Sequence, residues 1–141
     1  MSHELHVIPD ASHTAAKNMA HDFLLLNRYS PADALRIRHY GWIRPAFTFG
    51  LSQSFSYIQS EITDPSAEIC RRPTGGGVVN HQEDWTYALV IPASHPLGRS
   101  QPVETYKIVH DCMIAAMTDQ GCDVILNLDA PNNSTPGVCF N

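Results

Sequence analysis

The chain has 141 residues, enough for one domain, and its 43% hydrophobic and 16% charged content suits a packed core rather than disorder. A formal net charge of −5 with no basic stripe argues against nucleic acid as the main partner. The N-terminus is polar, the apolar runs are too short to span a bilayer, and Cys70, Cys112, Cys122 and Cys139 form no CxxC pair. Together these point to no membrane and to a reducing, cytoplasmic setting with free thiols. The histidines are scattered without an HExxH pattern, and no metal site is read from them.

Ser12 to Arg28 is predicted as the first helix, with Ser12 as its cap. Ala16, Met19, Ala20, Phe23 and Leu26 recur at helical spacing, and Ser30-Pro31 stops the run. His3 and His6 precede it in a segment expected to fray. Leu35, Ile37 and His39 alternate with Arg36, Arg38 and Tyr40, a strand with one polar face. Gly41 to Pro45 reads as a turn carrying Trp42. Phe47, Phe49 and Leu51 alternate with Thr48 and Gly50, suggesting a second strand in a hairpin with the first. Ser52 to Ser56 reads as a serine-rich loop holding Gln53, and Ile62 to Ala67 as a turn region with Pro65. Glu68 to Arg72 is a short strand.

The stretch Arg71 to His81 reads RRPTGGGVVNH. Three consecutive glycines cost backbone entropy on folding, so a folded chain retains them where bare backbone is needed. Amides freed by such residues form concave sets that favour anions and carbonyl oxygens. Arg71 and Arg72 place guanidinium charge beside them. Two readings stand at this point: a ligand-binding loop of Arg71, Arg72, Gly75, Gly76 and Gly77, or a glycine-rich hairpin with two solvated arginines. Val78-Val79 reads as a buried strand re-entering the core.

Thr86 to Ile91 is a further strand ending at Pro92, and Ala93 to Pro102 a loop. Val103 to Gln120 is the second helix, with Val103, Tyr106, Val109, Met113, Ala116 and Met117 on one face and Gly121 as its stop. Val124 to Leu128 is the last strand. With no repeat or linker, residues 1–141 read as a single domain. Helices and hairpins without strict βαβ alternation give an α+β fold, with a central mixed, mainly antiparallel sheet flanked by helices.

Arg71-Arg72-Pro73-Thr74-Gly75-Gly76-Gly77-Val78-Val79, followed by His81, Asp84, Thr86 and Tyr87, resembles the signature of the lipoate/octanoate branch of the biotin/lipoyl protein ligase family. Upstream, Arg38, Tyr40, Trp42, Pro45, Gly50 and Gln53 resemble the family's strand pair, and Ala20, Asp22, Leu24 and Leu25 its first helix. The resemblance implies a catalytic domain like that of biotin ligases and class II aminoacyl-tRNA synthetases, with a tunnel for a medium-length acyl chain. It implies that Arg72 and the Gly75–Gly77 amides face the polar end of the ligand. Val78 and Val79 would lie along it, with Val79 and the Phe47–Phe49 strand touching the acyl chain. His81 would lie near the reaction centre as an orienting partner or would close the loop structurally.

Pro136-Gly137-Val138-Cys139-Phe140 resembles the Cys-Phe motif of cysteine-dependent octanoyltransferases. That implies a Cys139 nucleophile taking octanoate from an acyl carrier protein and passing it to a lysine of a lipoyl domain, such as glycine cleavage H protein or a dehydrogenase E2 subunit. No cofactor is required for that reaction. Two alternatives stay open: an ATP- and magnesium-dependent ligase acting on free lipoate or octanoate, and an inactive acyl- or partner-binding relative. Cys70, Cys112 and Cys122 read as packing residues. The family's catalytic lysine has no match, since Lys17 and Lys107 are the only lysines and both fall in predicted helices. A second chain completing the sheet is one expectation that follows.

Overall fold

The computed structural model describes residues 4–9, 11–29 and 34–126. Among them, β1 (Leu5–Ile8), α1 (Ala15–Asn27), β2 (Leu35–Tyr40), β3 (Ala46–Phe49), α2 (Phe55–Glu61), β4 (Glu68–Arg71), β5 (Val79–Asn80), β6 (Thr86–Val90) and α3 (Pro102–Asp119) follow in order, with a 3₁₀ turn at Pro96–Arg99. The strands form two three-stranded sheets. In the first, β1 runs parallel and β6 antiparallel to the central β2. In the second, β4 runs parallel and β5 antiparallel to the central β3. α1 packs against β3, β4 and β6 and so joins the two sheets. The architecture is the predicted mixed α+β one.

α1 starts three residues later than predicted. Ser12 packs under Gly41, and His13 pairs in extended conformation with Trp42, so neither can enter the helix. Thr14 is the cap instead, its hydroxyl accepting the Lys17 amide at 3.3 Å. The Glu68 carboxylate on β4 accepts the Ala15 amide, which places negative charge at the positive end of the helix dipole and ties α1 to the second sheet. At the other end Arg36 Nη1 donates to the Leu25 carbonyl at 2.8 Å.

The polar face of β2 is the inward one. Arg36, Arg38 and Tyr40 are buried against α1. Arg38, only 1% exposed, donates to Asp22 Oδ1 at 2.6 Å, Asn18 Oδ1 at 2.6 Å and the Asn18 carbonyl at 3.1 Å. Tyr40 donates to Asp22 Oδ2 at 2.8 Å. Burial drives the Tyr40 phenol far above its usual range and raises the Asp22 carboxyl, which Arg38 and Tyr40 pull back down.

Further expectations are corrected. β2 and β3 form no hairpin, because Gly41–Pro45 carries the chain from one sheet to the other and pairs on the way with His13 and Glu68. The segment around His6 is a paired strand, and His6 Nδ1 lies 2.7 Å from the Tyr29 hydroxyl. The stretch after Gln53 is helix α2, anchored by Ile58 at 2% exposure. α3 has the predicted length, yet none of its residues is fully buried, and Val103, Tyr106 and Met117 are exposed. Cys112 and Cys122 are exposed rather than packed, while Cys70 is half-buried. The strand expected at Val124–Leu128 runs beyond the described residues, and 124–126 carry no regular structure. No helix among the described residues is long and apolar enough to cross a membrane.

Candidate functional site

The glycine loop leaves the end of β4 and returns as β5, and the strand between them, β3, supplies its floor. Arg72 emerges beside Phe49, whose carbonyl accepts its amide at 2.8 Å. His81 emerges on the other side, its amide donating to the Ala46 carbonyl at 3.0 Å. Thr48, fully buried in the middle of β3, therefore lies between Arg72 and His81.

Arg72 is the hub of the loop. Its Nη2 donates to the carbonyls of Gly75 at 3.0 Å and Gly77 at 2.9 Å, and its Nη1 to Thr48 Oγ1 at 2.8 Å. With those carbonyls held by the guanidinium, no described residue accepts from the amides of Gly75, Gly76 or Gly77. Gly76 has a φ of 97°, a conformation that favours glycine, and Gly50 on the neighbouring segment lies so close that a Cβ there would overlap the Gly76 carbonyl. A Cβ on Gly75 would meet no described atom within 4 Å, so among the described residues the outer side of the loop is open backbone.

Arg71 points elsewhere. Its Nη1 donates to the carbonyls of Leu51 at 2.6 Å and Gln53 at 2.7 Å, and its guanidinium lies 4.7 Å from the centre of the buried Phe49 ring. The Leu51 amide donates to Thr74 at 3.0 Å, so Arg71 holds the segment that braces the loop. Gln53 Oε1 is buried there without a hydrogen-bond donor among the described residues. Val78 and Val79 are half-buried, with Val79 registered opposite Thr48.

His81 Nε2 lies 2.7 Å from Thr48 Oγ1 and His81 Nδ1 2.5 Å from Asp84 Oδ2. Burial is the main influence on the ring and holds its pKa below the usual histidine value, aided by the Arg72 charge and opposed by Asp84. Thr86 donates to Asp84 Oδ1 at 2.7 Å and accepts from Trp42 Nε1 at 2.8 Å. The Trp42 ring stacks on His81 with centroids 4.3 Å apart and planes 23° from parallel.

The structure thus gathers Arg72, the three glycines, Val79 and His81 around one loop and assigns Arg71 to its support. Cys139 lies outside the described residues. Reading the residues one by one gave no role to Thr48, Trp42, Asp84 or Thr86. The threonine sits at a core position of a strand, and Trp42 lies on a segment that only the fold brings to Asp84 and Thr86. Among the described residues no group of three or more His, Cys, Asp or Glu side chains stands together to hold a metal ion.

Comparison with known proteins bears on the family and the fold. The chain is 32% identical over 139 residues to octanoyltransferase LipM of Halalkalibacterium halodurans, covering 89% of this chain and 49% of that protein. It is 33% identical over 137 residues to the LipM of Staphylococcus epidermidis, covering 88% and 49%. The chain spans about half the length of the curated relatives it matches. Among solved structures, the fold matches the bi-partite lipoate protein ligase of Thermoplasma acidophilum with a TM-score of 0.62 at 17% identity, over 90% of this chain and 49% of that one. It matches a lipoate-protein ligase A bound with ATP with a TM-score of 0.60 at 17% identity, over 94% and 54%. The model of the biotin/lipoate A/B protein ligase family matches residues 52–137, which include the glycine loop, His81 and β6, and the chain belongs to that family.

Proposed function

We propose that this chain takes part in octanoyl transfer within lipoate metabolism, with the Gly75–Gly77 amides receiving the acyl carbonyl oxygen and Cys139 as the nucleophile. The observation that carries the proposal is the division of labour at the loop: Arg72 takes the carbonyls of Gly75 and Gly77, and the loop amides have no acceptor among the described residues. A set of amides fixed this way stabilises negative charge developing on an oxygen. It does so without reorganising during the reaction.

In the first half-reaction the Cys139 thiolate attacks the carbonyl carbon of an acyl thioester. A C–S bond forms, and the carbonyl electrons move onto an oxygen facing the loop amides. When the carbonyl re-forms, the bond to the carrier's sulfur breaks, and the carrier thiolate leaves and takes up a proton. In the second half-reaction an acceptor lysine amine attacks the acyl-cysteine. The C–N bond forms, the C–S bond breaks, and the amine proton returns to the thiolate. The acceptor is the lysine of a lipoyl domain, and the donor is an octanoyl group carried as a thioester. Transfer is preferred over ATP-dependent ligation because the relatives at 32% and 33% identity are octanoyltransferases and the tail carries Cys139-Phe140.

The test is intact-mass and peptide mass spectrometry after incubation with octanoyl acyl carrier protein. The expected result is a hydroxylamine-sensitive octanoyl adduct on Cys139 that is absent from Cys139→Ala. An unmodified, folded chain would overturn the nucleophile assignment. Pyrophosphate release with ATP, magnesium and free lipoate would favour ligation instead.

A further inference from the structure

The side chains from Trp42 to Arg72 form one continuous network whose proton positions follow from chemistry. An indole N–H can only donate, so Thr86 Oγ1 accepts from Trp42 and must give its own proton to Asp84. The Asp84 carboxylate accepts on both oxygens, so His81 Nδ1 carries a proton and donates it to Oδ2. In a neutral ring Nε2 is then an acceptor, and among the described residues the hydroxyl at hydrogen-bond distance from it is that of Thr48. Thr48 Oγ1 gives its proton to His81 and accepts one from Arg72. Every hydroxyl donates once and accepts once, and the path runs one way from the Arg72 cation to the Asp84 anion. The stacking of Trp42 on His81 closes the path on itself.

We propose that Thr48, His81, Asp84, Thr86 and Trp42 are positioning residues that set the orientation of the Arg72 guanidinium and, through it, the outward presentation of the glycine-loop amides. His81 is a strut in this arrangement and not a proton carrier, because both ring nitrogens are occupied by protein partners. The same two bonds select the Nδ1–H tautomer, the less favoured form of free neutral imidazole. The inference rests on the reading that the loop receives an acyl oxygen. Its own content, the coupling of Asp84 to the loop 72–77, is separable from that reading.

The experiment uses the full chain labelled with ¹⁵N. Long-range proton–nitrogen correlation reports the His81 tautomer, amide spectra report Gly75 and Gly77, and calorimetry with octanoate reports binding. The wild type is expected to show His81 neutral with the proton on Nδ1. In Asp84→Asn and Thr48→Val the Gly75 and Gly77 amide resonances move and octanoate affinity falls about tenfold, the scale of one well-made hydrogen bond to a charged group. Thr48→Ser, which keeps the hydroxyl, restores both readouts, whereas a merely structural role for the threonine volume would leave Ser impaired and Val intact. A proton on Nε2 in the wild type would overturn the proposal. So would loop amides that ignore Asp84→Asn. Absence of octanoate binding to a wild type that keeps the tautomer and the coupling would overturn the acyl-binding reading while leaving the positioning network in place. Should Asp84→Asn not fold, Thr86→Val removes the same anchor from the other side, and its loop amides decide the question.

Discussion

Gly50 and Gly76 touch backbone to backbone, so that a Cβ on Gly50 would occupy the place of the Gly76 carbonyl oxygen. The end of β3 is therefore the mould against which the glycine loop is cast. Neither side can yield cheaply, since Gly50 is buried and Gly76 already sits at a positive φ. Gly50→Ala is expected to push the loop outwards at a cost of about 1–3 kcal/mol, in the range of overpacked sites. Urea denaturation measures that cost. Octanoyl transfer to Cys139 should fall far more than the lost stability explains, because the amides move with the loop.

The sequence makes the glycine loop legible because glycine runs and paired arginines carry their reason locally. Helices α1 and α3 and strand β6 are legible for the same reason, since their periodicity is internal. What resists reading is set by partners distant in sequence. Arg36 and Arg38 look like a solvent face until Asn18 and Asp22 on α1 are seen to receive Arg38 and the Leu25 carbonyl to receive Arg36. β1 is four residues long and gains its meaning from pairing with β2. α2 has two turns at most, and a Ser-rich start resembles a loop until Ile58 finds the core. Thr48 shows the same limit within the site, because a threonine in a β pattern gives no sign that an arginine and a histidine will meet on it.

The Arg38–Asp22 pair gives a stability prediction. With side-chain exposures of 1% and 17%, its charges are largely removed from water and bonded to each other, Asn18 and Tyr40. Removing one partner strands the other. Arg38→Ala and Asp22→Ala are each expected to destabilise the chain by about 3–5 kcal/mol, the scale for a broken buried pair. The double substitution Arg38→Met with Asp22→Leu should recover much of the loss, since no charge remains buried alone. Chemical denaturation of the three variants checks this.

His81 gives a pH prediction. Its pKa is held below the ordinary histidine value of about 6.5 chiefly by burial, with Arg72 adding to the effect and Asp84 opposing it. The unfolded chain therefore binds a proton at higher pH than the folded chain. The contribution of His81 to stability is complete above about pH 6.5, declines as pH falls towards the depressed folded value, and levels off below it. Protonation also puts an imidazolium against the Trp42 ring, which quenches indole fluorescence. Trp85, the other tryptophan, stacks on His39 at 4.8 Å and would blur the signal, so Trp85→Phe is the background to use. A fluorescence loss on acidification, with its midpoint below 6.5 and absent from His81→Gln, is expected. A midpoint above 6.5 would mean that Asp84 outweighs burial.

The adjacent arginines give the last prediction, because they look interchangeable and are not. Arg71 spends its donors on the Leu51 and Gln53 carbonyls at an exposed position, while Arg72 spans three acceptors on two segments from a half-buried one. A lysine ammonium can satisfy a pair of neighbouring carbonyls but cannot reproduce a planar fork that reaches Thr48, Gly75 and Gly77 together. Arg71→Lys is expected to cost about 1 kcal/mol or less, as exposed charged contacts do, and to leave acylation of Cys139 within about threefold of wild type. Arg72→Lys is expected to release the glycine carbonyls, let the loop amides turn inward, and lower the acylation rate by about 10²-fold, the scale for a lost oxyanion donor. Single-turnover acylation followed by mass spectrometry separates the two. Equal losses in both variants would show that total positive charge, rather than the directed fork of Arg72, is what the loop requires.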